Sequence, residues 1–282
     1  MEYNLREIAN QKMQNGNFKE ALTLFEQLIN SGENDSSLFY MIGQCYRFLH
    51  NYKLAVKYLK IAFEKDKTIP SFQLALGIAY QLNENFDESI ETLKQLILNN
   101  QEWEDLDLAF NSLALTLKKV GLYERALKNY EQSLKFFIMN ITKSLLNIKD
   151  NPIINFSPTT NNLWTQYLIE SAIIFSQTFE NIDNVAFPSD VGNYNSYEGL
   201  YWVIENINGK KTLLFLPNYF GIVKQYLTID PSFFNTIGNM STVYKELGMD
   251  TESQKYLTEA KEIMEEYNQL QSKNGYFKNE LY

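Results

Sequence analysis

The sequence predicts an all-α fold in which antiparallel helix pairs stack into a solenoid, with one small β-hairpin inserted late in the chain. Three observations predict it. Apolar residues recur at helical spacing along most of the 282 residues. The helical stretches repeat: Ala21 and Ala55, Gly43 and Gly77, Tyr46 and Tyr80, and Tyr52 and Phe86 are each 34 residues apart. Two β-rich runs flank Asn208-Gly209, a strong two-residue hairpin signal.

Each repeat reads as two amphipathic helices joined by a short polar turn, such as Gln14-Asn15-Gly16-Asn17, Leu49-His50-Asn51 or Asn83-Glu84-Asn85. Repeat one, about 2–35, carries Leu5, Ile8-Ala9, Gly16, Phe18, Ala21, Phe25 and Leu28. Repeat two, about 36–69, carries Phe39, Ile42-Gly43, Tyr46, Tyr52, Ala55, Leu59 and Ala62. Repeat three, about 70–103, carries Leu76-Gly77, Tyr80, Phe86, Ser89, Leu93 and Leu96. Repeat four, about 107–140, carries Phe110, Leu113-Ala114, Gly121, Tyr123, Ala126, Tyr130 and Ser133. A last repeat, about 234–267, carries Ile237, Met240-Ser241, Tyr244, Gly248, Ser253, Leu257 and Ala260. The small residue of each first helix lets the second helix approach, and the large ones fill the space between repeats.

This order of large, large–small, aromatic, turn, then small, large, small resembles the tetratricopeptide-repeat (TPR) family. The resemblance implies a right-handed superhelical solenoid that binds a protein or peptide and does not catalyse a reaction. It covers residues 1–140 and 220–267 well and the middle loosely. Lys12 and Leu117 stand where the family has an aromatic, and Leu28 and Leu96 where it has a small residue.

The second helix of repeat four runs on. Ala126, Tyr130, Leu134, Phe137, Ile141, Leu145 and Ile148 continue one stripe, and Asp150-Asn151-Pro152 stops it. A helix over 161–180 carries Trp164, Tyr167, Leu168, Phe175 and Phe179 and reads as the first helix of a fifth repeat. Its partner starts at Pro217, turns Val223, Tyr226 and Leu227 inward, and ends at Asp230-Pro231. Residues 181–216 interrupt the pair. Their first half reads as an irregular loop. Their second half reads as a hairpin of strands 200–204 and 212–216, with Trp202 opposite Phe215 and Ile204 opposite Leu213. A ribbon of two strands needs a surface to lie on. It either packs on the protein's own helices or offers an edge for a homodimer or a partner. The domain plan is thus repeats over 1–140, an extended helix and interrupted repeat over 141–233, and a final repeat, capping helix and tail over 234–282. The last helix spans about 252–271.

The formal net charge is −9, with 18 acids and 17 bases in residues 1–149 against 16 and 8 in residues 150–282. This balance disfavours nucleic-acid and anionic-membrane partners, which need excess Lys and Arg. The lone Cys45 permits no internal disulfide and reads as a buried small hydrophobe. The lone His50 reads as a turn residue. No signal-peptide pattern opens the sequence, so a cytoplasmic location is expected. One His and one Cys leave no metal site or Cys–His pair to build, and Gly209-Lys210-Lys211 does not complete a phosphate loop. No metal, cofactor or catalytic residue is expected.

The family resemblance projects the first helices onto a concave face. The partner groove is expected at Tyr40, Met41, Gln44, Phe48, Leu74, Ala75, Ile78, Asn111, Leu115 and Lys118, preceded by Tyr3, Arg6 and Asn10. Arg6 and Asn10 fit the start of the carboxylate clamp with which some family members grip chaperone tails, but Met41, Ser71 and Ala75 replace the rest of it. Binding of chaperone tails is therefore not expected. The leading function is an adaptor that seats a protein segment; the alternative is a regulator that senses a small peptide or ligand in the same groove.

Overall fold

The computed structural model describes residues 5–145, 181–187 and 201–273, together with Thr165, Gln166, Leu168, Ile169, Ile173, Ser176 and Gln177. The chain divides into two compact units, Met1–Ala126 and Leu127–Tyr282.

The first unit is built of helix pairs. They are α1 (Leu5–Gln14) with α2 (Phe18–Asn30), α3 (Ser36–Phe48) with α4 (Tyr52–Lys65), and α5 (Pro70–Leu82) with α6 (Phe86–Asn99), followed by α7 (Leu106–Lys119). The turn within each pair has one construction. The N–H of Asn17 bonds the carbonyl of Lys12 at 2.8 Å, Asn51 bonds Tyr46 at 2.9 Å, Asn85 bonds Tyr80 at 2.9 Å, and Leu122 bonds Leu117 at 2.9 Å. The residue before each donor is left-handed: Gly16 at φ 76°, His50 at 57°, Glu84 at 62° and Gly121 at 76°. This is the Schellman closure, which satisfies the last carbonyls of one helix and reverses the chain into the next. The helix starts are also specified by sequence. Asp35 caps α3 by accepting the Leu38 N–H at 2.9 Å, and Pro70 opens α5, where no N–H is needed.

The repeating small residue sets how closely paired helices lie. A Cβ placed on Gly43 would meet Leu59 Cγ at 2.6 Å, and one on Gly77 would meet Leu93 Cδ2 at 2.6 Å. Both leucines are wholly buried. In the third repeat Ser89 stands where the first, second and fourth have alanine, and its hydroxyl donates to the Gly77 carbonyl at 2.9 Å across the pair. The core follows the repeats. Ala9, Ala21, Phe25, Leu28, Leu38, Ile42 and Cys45 form one cluster, and Ala55, Leu59, Ala75, Leu76 and Ala79 form the next.

The second unit holds most of α8 (Tyr123–Leu145), strands β1 (Asn184–Ala186), β2 (Trp202–Ile207) and β3 (Lys210–Phe215), and helices α9 (Pro217–Ile229), α10 (Pro231–Glu246) and α11 (Asp250–Lys273). The predicted end of α8 near residue 150 lies outside the described residues, as do Trp164, Tyr167, Phe175 and Phe179. Leu168 is described and fully buried.

The hairpin has the expected register, with Trp202 opposite Phe215 and Ile204 opposite Leu213. Asn208 at φ 52° and Gly209 at φ 80° form the turn. The strands run closer to the turn than the apolar pattern suggested. Glu205, Asn206, Lys210 and Lys211 continue the backbone ladder without contributing apolar signal. The irregular-loop reading of the preceding stretch needs correction: β1 pairs parallel to β3, with Val185 opposite Leu213, so the sheet order is β1-β3-β2. Asp183 secures this pairing, its N–H bonding the Lys211 carbonyl at 2.8 Å and its carboxylate accepting the Lys211 N–H at 2.7 Å. The sheet packs within its own unit. Leu213, Leu214 and Phe215 are fully buried, and Phe215 stacks with Phe187 at 5.9 Å and meets Tyr219 of α9 at 4.8 Å with tilted rings.

Helices α10 and α11 form the final pair with the same turn as the others: Gly248 is at φ 72° and Met249 N–H bonds the Tyr244 carbonyl at 2.9 Å. Ser241 donates to the Ser253 carbonyl at 2.8 Å, repeating the bridge seen in the third repeat with the donor on the other helix. The Asp230 carboxylate caps α10 by accepting the Ser232 N–H at 2.8 Å. No described helix is long and apolar enough to cross a membrane.

Candidate functional site

The residues projected onto the groove lie on α3, α5 and α7 of the first unit, with Arg6 and Asn10 on α1, while Tyr3 lies outside the described residues. Helix α5 packs against both α3 and α7. Positions spaced by three and four residues share one side of each helix, so Tyr40, Gln44 and Phe48 fall into line on α3, as do Leu74 and Ile78 on α5 and Asn111, Leu115 and Lys118 on α7.

On α3 these side chains form a connected row. Tyr40 stacks on Phe72 at 4.8 Å and accepts a hydrogen bond from Gln44 Nε2 at 2.8 Å. Gln44 Oε1 in turn accepts from Arg47 Nε at 2.7 Å. The Arg47 guanidinium lies 4.3 Å over the Phe48 ring, and Phe48 stacks nearly parallel on Phe18 at 4.4 Å and 7°. Phe48 remains 43 % exposed. The Arg47 side chain is half-buried, and burial lowers its affinity for a proton, with Tyr40 and Tyr52 as its electrostatic neighbours.

The other projected residues divide by exposure. Ile78, Asn111, Leu115 and Lys118 are half-buried. Leu74 and Ala75 are 8 % and 4 % exposed, and Ala75 belongs to the core cluster between the second and third repeats. Met41 packs against the cluster of the first two repeats. Helix α5 packs against both α3 and α7, which leaves Leu74 and Ala75 buried, while Met41 on α3 is only partly buried. Arg6, projected as the first clamp residue, is held by the carboxylates of Glu33 and Asp35. Its guanidinium and its hydrogen bond to Asp35 hold that carboxyl below the usual range.

Three residues that contact this row are not among those read from the sequence: Arg47, Phe18 and the buried Phe72. Arg47 could have been found, since it lies three residues from Gln44 and seven from Tyr40, on the same helix face. Phe18 and Phe72 join only through contacts between helices. Next to the row, Gln81 donates to the Ser112 carbonyl at 3.2 Å and to Thr116 Oγ1 at 2.9 Å, tying α5 to α7. His50 lies in its exposed turn with Nδ1 2.8 Å from the Tyr52 hydroxyl. Among the described residues no three of His, Cys, Asp and Glu gather as metal ligands.

Residues 14–96 match the family described as anaphase-promoting complex, cyclosome, subunit 3. No curated protein matches the chain. Among solved structures the chain is similar to MamA, with 15 % identity, a TM-score of 0.50, and coverage of 93 % of this chain and 97 % of that one. It is also similar to the nearly identical TPR-like repeats of a putative kinesin light chain from Podosopora anserina, with 15 % identity, a TM-score of 0.51, and coverage of 96 % and 94 %. Likeness at this level of identity is a likeness of fold. Repeat sequence, helix pairing and these likenesses agree that the chain has a tetratricopeptide-repeat fold.

Proposed function

We propose that the chain is a protein-interaction adaptor, without catalytic activity, whose α3–α5–α7 face seats a segment of another protein. The observation that carries this reading is the exposed Phe48, stacked on Phe18 and continued by the half-buried Tyr40, Ile78 and Leu115. An apolar strip with polar margins on successive helices is the form that a peptide or helix site takes. Fold alone does not decide function, so the test must be direct. The chain is captured from the source cell's extract as wild type and as Phe48→Glu/Ile78→Glu. Phe48 is used because it is exposed, whereas Met41 is partly buried against the core cluster of the first two repeats. A protein retained by the wild type and lost from a mutant that is still helical by circular dichroism supports the reading. Equal retention by both overturns it.

A second reading, sensing of a small ligand, is favoured by a cleft between α9 and α11 rather than by the groove. The cleft measures about 580 Å³ and is lined by Ile222, Tyr226, Ile229 and Leu270, with Lys224 and Glu266 paired at 3.0 Å on its wall. That volume lies within the range of small-molecule sites. A thermal-shift screen of cell metabolites would find a hit that Ile229→Lys abolishes; no hit removes this reading.

A further inference from the structure

Arg47 is a half-buried cation without an anion. Its Nε is taken by the neutral Gln44, one face of its guanidinium is covered by Phe48, and its other electrostatic neighbours are tyrosines. Among the described residues no carboxylate pairs with it, in contrast to Arg6, which is held by Glu33 and Asp35. A charge withdrawn from water loses solvation that only an opposite charge restores well. The terminal Nη groups form the edge of a planar fork that matches a carboxylate through two parallel hydrogen bonds. The other side chains in line on α3 and α5, namely Tyr40, Gln44, Phe48, Leu74 and Ile78, carry no charge.

Resting on the adaptor reading, we propose that Arg47 receives the side-chain carboxylate of an aspartate or glutamate within the bound segment, beside an apolar residue that packs on Phe48 and Phe18. A side chain fits better than a chain terminus. Accessible aromatic side chains lie to both sides of Arg47, the exposed Phe48 with the half-buried Phe18 one way and the half-buried Tyr40 the other, so a segment crossing it continues in both directions. A single arginine suits a single carboxylate, whereas a polyanion needs a row of cations. The nearly neutral balance of residues 1–149, with 18 acids and 17 bases, places no strong field against an acidic segment.

The test uses a random peptide library displayed on phage and panned on the full chain. The expected result is enrichment of peptides with an internal Asp or Glu next to an aromatic or aliphatic residue. Panning on Arg47→Met should lose the acidic preference, and Arg47→Lys should keep part of it. An enriched peptide, synthesised with blocked termini, should bind about ten- to a hundred-fold more weakly when its acid is changed to the amide. Arg47→Met should bind both versions alike, which a merely structural role for Arg47 would not produce. Peptides enriched on the wild type but not on Phe48→Glu/Ile78→Glu, with no acidic preference, would overturn the role of Arg47 and leave the groove standing. Selection of free C-terminal carboxylates would overturn the side-chain assignment. Enrichment no greater on the wild type than on Phe48→Glu/Ile78→Glu would overturn the groove reading and this inference together.

Discussion

Substitution of Gly77 by alanine tests the packing principle of the helix pairs, because two known effects oppose each other there. In an open helix, Gly→Ala stabilises by about 1 kcal/mol. At Gly77 the new Cβ would lie 2.6 Å from Leu93 Cδ2 and 2.7 Å from Leu93 Cγ. Carbon atoms rest about 3.5–4.0 Å apart, so the overlap is on the order of 1 Å. Leu93 is wholly buried and has little room to withdraw. Overpacking of this kind costs about 1–3 kcal/mol. Gly238 in α10 supplies the internal control, since a Cβ there meets Ala260 Cβ at 3.8 Å, an ordinary contact. Gly238→Ala should therefore stabilise by about 1 kcal/mol. Gly77→Ala should fall below it by about 1–3 kcal/mol, the difference being the packing contribution with helix propensity cancelled. Urea unfolding followed by far-ultraviolet circular dichroism measures both. In a Leu93→Ala background the Gly77→Ala penalty should disappear, because the two side chains are in contact. Equal stabilisation by the two substitutions would refute the close approach at Gly77 and, with it, the reason for a small residue at that point of the repeat.

Other predictions follow from single groups. Glu84 occupies the left-handed turn position that Gly16, Gly121 and Gly248 fill in other repeats, so Glu84→Gly should stabilise by about 1 kcal/mol in the same unfolding assay. Cys45 is wholly buried, and burial pushes its thiol up to about 12. It should resist iodoacetamide at neutral pH until the chain unfolds; labelling of the native protein at the rate of a free thiol would contradict its placement. Burial, and then the hydrogen bond to Glu26 at 3.1 Å, raise the Tyr46 phenol to about 12 from an ordinary 10.0. The neutral phenol is the form favoured by folding, so its contribution is complete below pH 10 and is lost as pH rises through 12. Tyr46→Phe should therefore flatten the alkaline loss of stability in that window, and an unchanged slope would assign the loss to other groups.

The repeats, the turns and the hairpin register were all legible in the sequence, because each rests on forces acting over a short stretch of chain. The 34-residue spacing of Gly43 and Gly77 marked the close helix contacts. Asn208-Gly209 fixed which residues of β2 and β3 face each other. The polar turns located the helix ends, although nothing local announced that His50 and Glu84 would take the left-handed conformation that glycine takes elsewhere. Strand β1 escaped because three residues carry too little pattern, and its pairing depends on a partner 28 positions later, from Asn184 to Thr212.

The candidate site divides along the same line. Helix periodicity put Tyr40, Gln44 and Phe48 on one face, and that much the sequence determined by itself. Only the tertiary structure decided that Phe48 stays exposed while Leu74 and Ala75 are buried, since exposure depends on which helices flank each position. It also decided that Arg6 meets Glu33 and Asp35 whereas Arg47 meets a glutamine and an aromatic ring. Both arginines look alike in the sequence. A charge acquires its partner through space, from helices whose faces no local pattern specifies, and only the packed fold distinguishes the paired cation from the unpaired one.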